Sequence, residues 1–217
     1  MAVLFLPGYR SLAQGAKAAA LAEHCRARER PFRAVEYTHG LDERRGTVGL
    51  WLGDALDALD ALGANRVVIV GASMGAWIAM LVARHRPDAV AGIVGVGAAV
   101  DFTERIVRPK IRDDTPQDVY YLPSAYDPSG RYPYAAAMLD EARGHLLFPD
   151  GGLDAVRCPV RLLHGLGDVD VPWSESVAVA QRLGSSDVRV ELIKDGQHRL
   201  SSTSAHLRLL CDAVESC

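Results

Sequence analysis

The stretch RVVIVGASMGAWIAM, residues 66–80, restricts the fold of this chain more than any other passage. Val67 to Val70 form a short apolar, β-branched run of the kind that makes a buried strand. The run passes straight into Gly71-Ala72-Ser73-Met74-Gly75, and a helix-like segment follows at once. A buried strand that gives way directly to a helix is half of a βαβ unit, which implies parallel strands. Small residues two before and two after Ser73 let the backbone turn sharply. The spacing therefore predicts a serine hydroxyl projecting at the C-terminal edge of a sheet, beside a helix N-terminus. This is the G-x-S-x-G pattern of a strained nucleophile turn. The competing possibility is a serine that only caps the helix.

The rest of the chain keeps the same rhythm. Apolar runs at 2–6, 32–37, 66–70, 90–97, 160–165 and 188–193 predict six strands. Between them lie amphipathic segments. In GLWLGDALDALDALG the leucines 52, 56, 59 and 62 recur at helical spacing, while Asp54, Asp57 and Asp60 fall elsewhere on the wheel. Residues 15–30, WSESVAVAQRLG and SAHLRLLCDAVES read as helices too. The expected fold is α/β, a mostly parallel sheet of about six strands with helices on both faces, in one domain spanning 1–217.

Residues 101–150 break that rhythm. They hold Tyr120, Tyr121, Tyr126, Tyr132 and Tyr134, and prolines at 109, 116, 123, 128, 133 and 149. So long a stretch without structure is uncommon inside a compact domain. A partly helical cap over the sheet edge is expected instead. Its apolar residues Met138, Leu139, Leu146, Leu147 and Phe148 either hold an acyl chain or glue the cap to the sheet.

A serine nucleophile needs a base, and the base an orienting acid. The fifth strand runs into HGLGDVDVPW, which puts Asp168 in the following loop, at the head of a D-x-x-V-P pattern. The sixth runs into KDGQHRLS, which puts His198 in the next. Ser73, Asp168 and His198 thus follow one another in the order acid-after-serine, histidine-last that strand–turn–helix serine enzymes use. Asp170 and Asp195 are weaker alternatives for the acid. His164 reads as a packed structural histidine, and histidines 24, 39, 85, 145 and 206 as surface residues. The loop after the first strand, LPGYRS, offers the Tyr9 amide as an oxyanion donor beside that of Met74.

Formal net charge is −3, from 24 basic and 27 acidic side chains with no long basic run, so a nucleic-acid role lacks electrostatic support. Cys25, Cys158, Cys211 and Cys217 are scattered, with no metal-ligand spacing, which points to free thiols in a reducing compartment. The first apolar run is too short for a signal core or a membrane span. A cytoplasmic protein without metal or cofactor and without stable membrane insertion is expected.

Together FLPGYRS, GASMGAW, RLLHGLGDVDVPW and KDGQHRL resemble the α/β-hydrolase superfamily. With the cap stretch YLPSAYDPSGRYPY they are similar, more narrowly, to the abhydrolase-domain subgroup that includes the animal mitochondrial palmitoyl-protein thioesterase and acyl-glucuronide esterase. The chain begins at what resembles the third strand of the full hydrolase sheet, and no transit-type extension precedes it. The resemblance implies a serine hydrolase of acyl thioesters and carboxylic esters, with Ser73 as nucleophile, Asp168 as acid and His198 as base. It implies an S-acyl thioesterase first and a broad carboxylesterase, acyl-glucuronide-type esters included, second. A ligand receptor on the hydrolase fold is a third possibility, against which the intact triad argues.

Overall fold

A computed structural model of the chain describes residues 1–112 and 115–217; two positions of the expected cap, 113 and 114, lie outside the described residues. The strands are β1 (Ala2–Leu6), β2 (Phe32–Ala34), β3 (Val67–Ala72), β4 (Val90–Val96), β5 (Val119–Pro123), β6 (Arg131–Ala135), β7 (Val160–Gly165) and β8 (Val188–Ile193). The α-helices are α1 (Ala16–Arg26), α2 (Val48–Ala61), α3 (Met74–His85), α4 (Ala136–Glu141), α5 (Ser174–Ala180) and α6 (Ser204–Glu215). All six predicted strands join one sheet in the order β2-β1-β3-β4-β7-β8, every pair parallel.

Strands buried on both faces need unbroken apolar runs, and β1, β3 and β4 are buried along their whole length. Alternate residues serve opposite faces. Leu4, Leu6 and Ile69 pack with Trp51 of α2 and Trp77, Ile78 and Leu81 of α3. Val3, Phe5, Val68 and Val70 pack instead with Leu21 and Cys25 of α1 and Leu210 and Val214 of α6. α3 is buried from Met74 to Ala83, which is why its sequence carries almost no polar residue. In α2 the buried face is wider than the leucine stripe: Trp51, Ala55 and Ala58 join Leu52 and Leu59, while Leu56 and Leu62 are only partly buried.

The segment 101–150 is less helical than expected. It opens with a π-helical turn, Thr103–Val107, and a short 3-10 turn, Arg108–Lys110. An antiparallel hairpin of β5 and β6 follows, then the short α4. The tyrosines fall in and around the hairpin. Met138, Leu139 and Leu147 are buried in the core beside α2 and α3. Of the two roles open to them in the sequence, gluing the segment to the body is the one they fill.

Because all six strands of the main sheet run the same way, the loops after β1, β3, β7 and β8 gather at one edge. That edge is where open α/β sheets bind ligands.

Candidate active site

The β3–α3 turn places the serine. Ser73 has φ 52° and ψ −118°, a conformation that costs a non-glycine residue about 1–3 kcal/mol. The flanking glycines make it possible. A methyl group at Gly71 would strike the backbone of Gly75, and one at Gly75 would strike the Leu6 carbonyl. Ser73 N–H donates to the Val96 carbonyl at 2.8 Å, and the Ser73 carbonyl accepts from Ala99 N–H at 3.2 Å, so neighbouring segments hold the strained residue on both sides. The Ser73 side chain makes no capping bond to α3. Its hydroxyl points to His198 instead, with Oγ 3.1 Å from Nε2. The helix-cap alternative is therefore excluded.

His198 is fixed from behind, its Nδ1 lying 2.6 Å from Asp168 Oδ2. Asp168, 9% exposed, is caged. Its Oδ1 accepts from the backbone N–H groups of Asp170 and Val171, both at 2.9 Å, and its Oδ2 also meets His164 Nε2 at 3.1 Å. Burial alone would raise the Asp168 carboxyl, but the hydrogen bonds from His164 and His198 outweigh it and hold the group well below the usual carboxylate range. An ionised acid fixes both tautomers. His198 donates from Nδ1, which leaves the Nε2 lone pair facing the serine. His164 must donate from Nε2, which also lies 3.0 Å from the Val171 carbonyl, so its Nδ1 accepts from Ser176 Oγ at 2.7 Å.

The β7 and β8 loops that carry acid and base are tied together, Gly167 N–H donating to the Gly196 carbonyl at 2.9 Å. Ligand atoms of Asp168, Asp170 and His198 lie within 4.8 Å of one another. The Asp168 oxygens and His198 Nδ1 are already engaged with N–H donors and with each other, a set suited to moving a proton and not to holding a metal ion. Asp170, a weaker alternative for the acid, lines the cleft beside Tyr126. Asp195 makes no bond to His198.

The LPGYRS loop runs against the turn: a Cβ on Gly8 would sit 3.3 Å from both the Ala72 carbonyl oxygen and Ser73 Cβ. Met74 is the first residue of α3, where a backbone N–H has no intrahelical acceptor. The Tyr9 ring packs among other aromatic rings. It stacks on Tyr134 at 5.1 Å and meets Trp51 and Tyr132 edge-on, and its hydroxyl donates to the Pro133 carbonyl. Burial pushes its phenol far up, with the charge of Tyr134 adding to the effect.

Ser73 and His198 open onto a cleft of about 580 Å³. One wall is apolar and aromatic, from Phe102, Ile106, Val107, Leu122, Tyr132 and Tyr134; Tyr126 tilts against the His198 ring at 6.1 Å. None of Met138, Leu139, Leu146, Leu147 and Phe148 lines it. Ser73, Asp168 and His198, singled out in the sequence, lie within hydrogen-bond reach of one another, with His198 between the other two. The sequence did not reveal the His164 bond, although the His-x-x-x-Asp spacing on one strand end carried that signal.

Residues 52–213 match the prolyl oligopeptidase family. The mitochondrial palmitoyl-protein thioesterase ABHD10 of Bos taurus is 35% identical over 223 residues, covering 98% of this chain and 71% of that protein. Its Homo sapiens counterpart is 33% identical, with the same coverage of 98% and 71%. Among solved structures, alpha/beta hydrolase domain-containing protein 10 from mouse superposes with a TM-score of 0.88 at 32% identity, covering 99% of this chain and 88% of that one.

Proposed function

The chain belongs to the prolyl oligopeptidase family of α/β-hydrolases, and from that premise we propose that it is an S-acyl thioesterase, of the palmitoyl-removing type, working through an acyl-enzyme on Ser73. The observation that carries this reading is the unbroken chain from Ser73 Oγ through His198 to Asp168 Oδ2, at 3.1 and 2.6 Å, beside a cleft with one apolar wall. His198 Nε2 takes the serine proton as Oγ attacks the acyl carbonyl. Asp168 holds the imidazole tautomer and stabilises the imidazolium. The amides of Tyr9 and Met74 receive the oxyanion. His198 returns its proton to the departing sulfur, and water then releases the acid by the same steps. Residues 101–150 act as a cap on a single domain, 1–217, and their apolar wall takes the acyl chain.

The machinery also cleaves oxygen esters, so a broader carboxylesterase activity, acyl-glucuronide-type esters included, is the second reading. Matched thioester and oxyester substrates of rising chain length separate the two. In either case Ser73→Ala lowers kcat/KM by at least about a thousandfold with little change in Tm, and abolishes labelling by a fluorophosphonate probe. A variant that keeps near-normal turnover would overturn the assignment of Ser73.

The relatives are named as mitochondrial. Among the described residues no helix is long and apolar enough to cross a membrane, and the four cysteines are free. Free thiols support a reducing compartment, for which we take the cytoplasm.

A further inference from the structure

Lys17, near the start of α1, and Arg199, directly after His198, both line the cleft. Lys17 Nζ donates to the Arg199 backbone carbonyl at 2.6 Å. The Arg199 guanidinium carbon lies over the Tyr126 ring, 4.3 Å from its centroid. Among the described residues no carboxylate lies within ion-pair distance of either cation, and the first turn of α1 carries no acid. The carboxylate lining the same cleft, Asp170, has Tyr126 as its neighbour.

A half-buried ammonium with one carbonyl for company is an unfavourable arrangement, and a second cation beside it makes it worse. Burial, and then the Arg199 charge, push the Lys17 ammonium down to about 8. Lys17 spends one of its three N–H donors on the carbonyl. The others, with the Arg199 fork, remain for a ligand.

Position assigns the ligand's place in the reaction. The general base returns its proton to the leaving atom, so the leaving group lies on the His198 side of Ser73. Arg199 follows His198 directly and its carbonyl holds Lys17, which puts both cations on that side; the apolar wall of Phe102, Ile106, Val107 and Leu122 belongs to the insertion. We propose that Lys17 and Arg199 form a subsite for a terminal anion, phosphate or carboxylate, on the thiol or alcohol that leaves. This rests on the serine-hydrolase reading only for which end of the substrate is bound.

The test uses the full chain and two matched pairs of octanoyl thioesters, those of phosphopantetheine and pantetheine and those of mercaptopropionate and its methyl ester. The wild type should prefer the anionic member of at least one pair by about tenfold in kcat/KM, as a charge-assisted contact would give. The pair with the larger ratio identifies the anion. Lys17→Met and Arg199→Gln should each bring that ratio towards one, as should added salt. A ratio near one for both pairs in the wild type overturns the subsite. So does an unchanged ratio in Lys17→Met, which would mean that Lys17 only ties α1 to the His198 loop. Calorimetric binding of free phosphopantetheine against pantetheine, and of mercaptopropionate against its methyl ester, in the wild type and Lys17→Met, decides the matter separately. If no thioester is turned over and no fluorophosphonate label attaches, the hydrolase reading fails. Tighter binding of an anionic thiol that is lost in Lys17→Met would still uphold the subsite, and equal binding within both pairs would overturn it.

Discussion

Two oxygens of Asp168 collect N–H groups from Asp170, Val171, His164 and His198. At the scale of single residues, in the proposed mechanism, this cage keeps Ser73, His198 and Asp168 in register, and His164 acts through it as a positioning residue, fully buried and outside the lining of the cleft. Replacing it with phenylalanine removes one N–H from Oδ2 and strands the Ser176 hydroxyl. We expect His164→Phe to lose about 2 kcal/mol of stability and about tenfold in kcat/KM. His164→Gln, which can still donate to Asp168, should recover part of both. The sign of the acid dependence follows from the depressed Asp168 carboxyl. Its contribution to stability is fully present above the ordinary carboxylate value of about 4, and is lost as pH falls from there through its lower folded value. Denaturant titrations from pH ~5 down to ~2 should show the wild type losing more stability than Asp168→Asn. An equal slope would mean that the cage does not hold the charge. Ser73, Asp168 and His198 were legible as neighbours because each sits just past an apolar run, at the same edge of a parallel sheet. The cage was not, since half of it is backbone N–H, which has no sequence signature.

Elements repeat that division. Strands β1, β3, β4 and β7 stood out because burial on both faces demands continuous apolar runs, and α2 because its leucines mark a face. The β5–β6 hairpin did not stand out. Its strands are half exposed, and its tyrosines and prolines obscured the alternation. A signal was present nonetheless in Asp127-Pro128-Ser129-Gly130. Asp127 Oδ1 accepts from Ser129 N–H at 2.9 Å, and Gly130 closes the turn at φ 75° with its N–H on the Asp127 carbonyl at 2.8 Å. No atom lies within 4 Å of a Cβ built there, so Gly130→Ala tests backbone strain without a clash. It should cost about 1 kcal/mol, read as a lower Tm. The α2 N-terminus shows a second kind of hidden contact. Thr47 caps it locally, which the sequence can show, but Glu141 at the end of α4 accepts from the Val48 and Gly49 N–H groups at 3.0 and 2.9 Å. Glu141→Ala should cost about 1–2 kcal/mol, a loss that the glutamine variant only partly avoids because one carboxylate oxygen becomes a donor.

In the whole molecule the insertion is joined to the sheet through a small number of polar bonds laid over an apolar seam. Arg105 pairs with Glu175 of α5 through both Nε and Nη2, at 2.7 and 3.0 Å. Tyr9 reaches the Pro133 carbonyl of the hairpin. A more buried clamp lies within the insertion: Asp101, only 1% exposed and at φ 54°, accepts through its carboxylate from Leu147 N–H at 2.9 Å and Phe148 N–H at 2.8 Å. Asp101 immediately precedes Phe102, the first residue of the apolar wall, so the clamp that closes the insertion on itself also aims that wall at Ser73. Asp101→Asn keeps the shape and tolerates the left-handed backbone, but turns one acceptor towards two N–H groups as a donor. A general loss of fold would lower every rate alike. A loosened wall would act only on substrates long enough to lie along it. We therefore expect Asp101→Asn to lower stability by about 1–3 kcal/mol and to raise KM for long-chain thioesters several-fold, while kcat/KM for an acetyl ester stays within about twofold of wild type. Equal losses on acetyl and long-chain substrates would show that the insertion holds the triad together and does not bind the acyl chain.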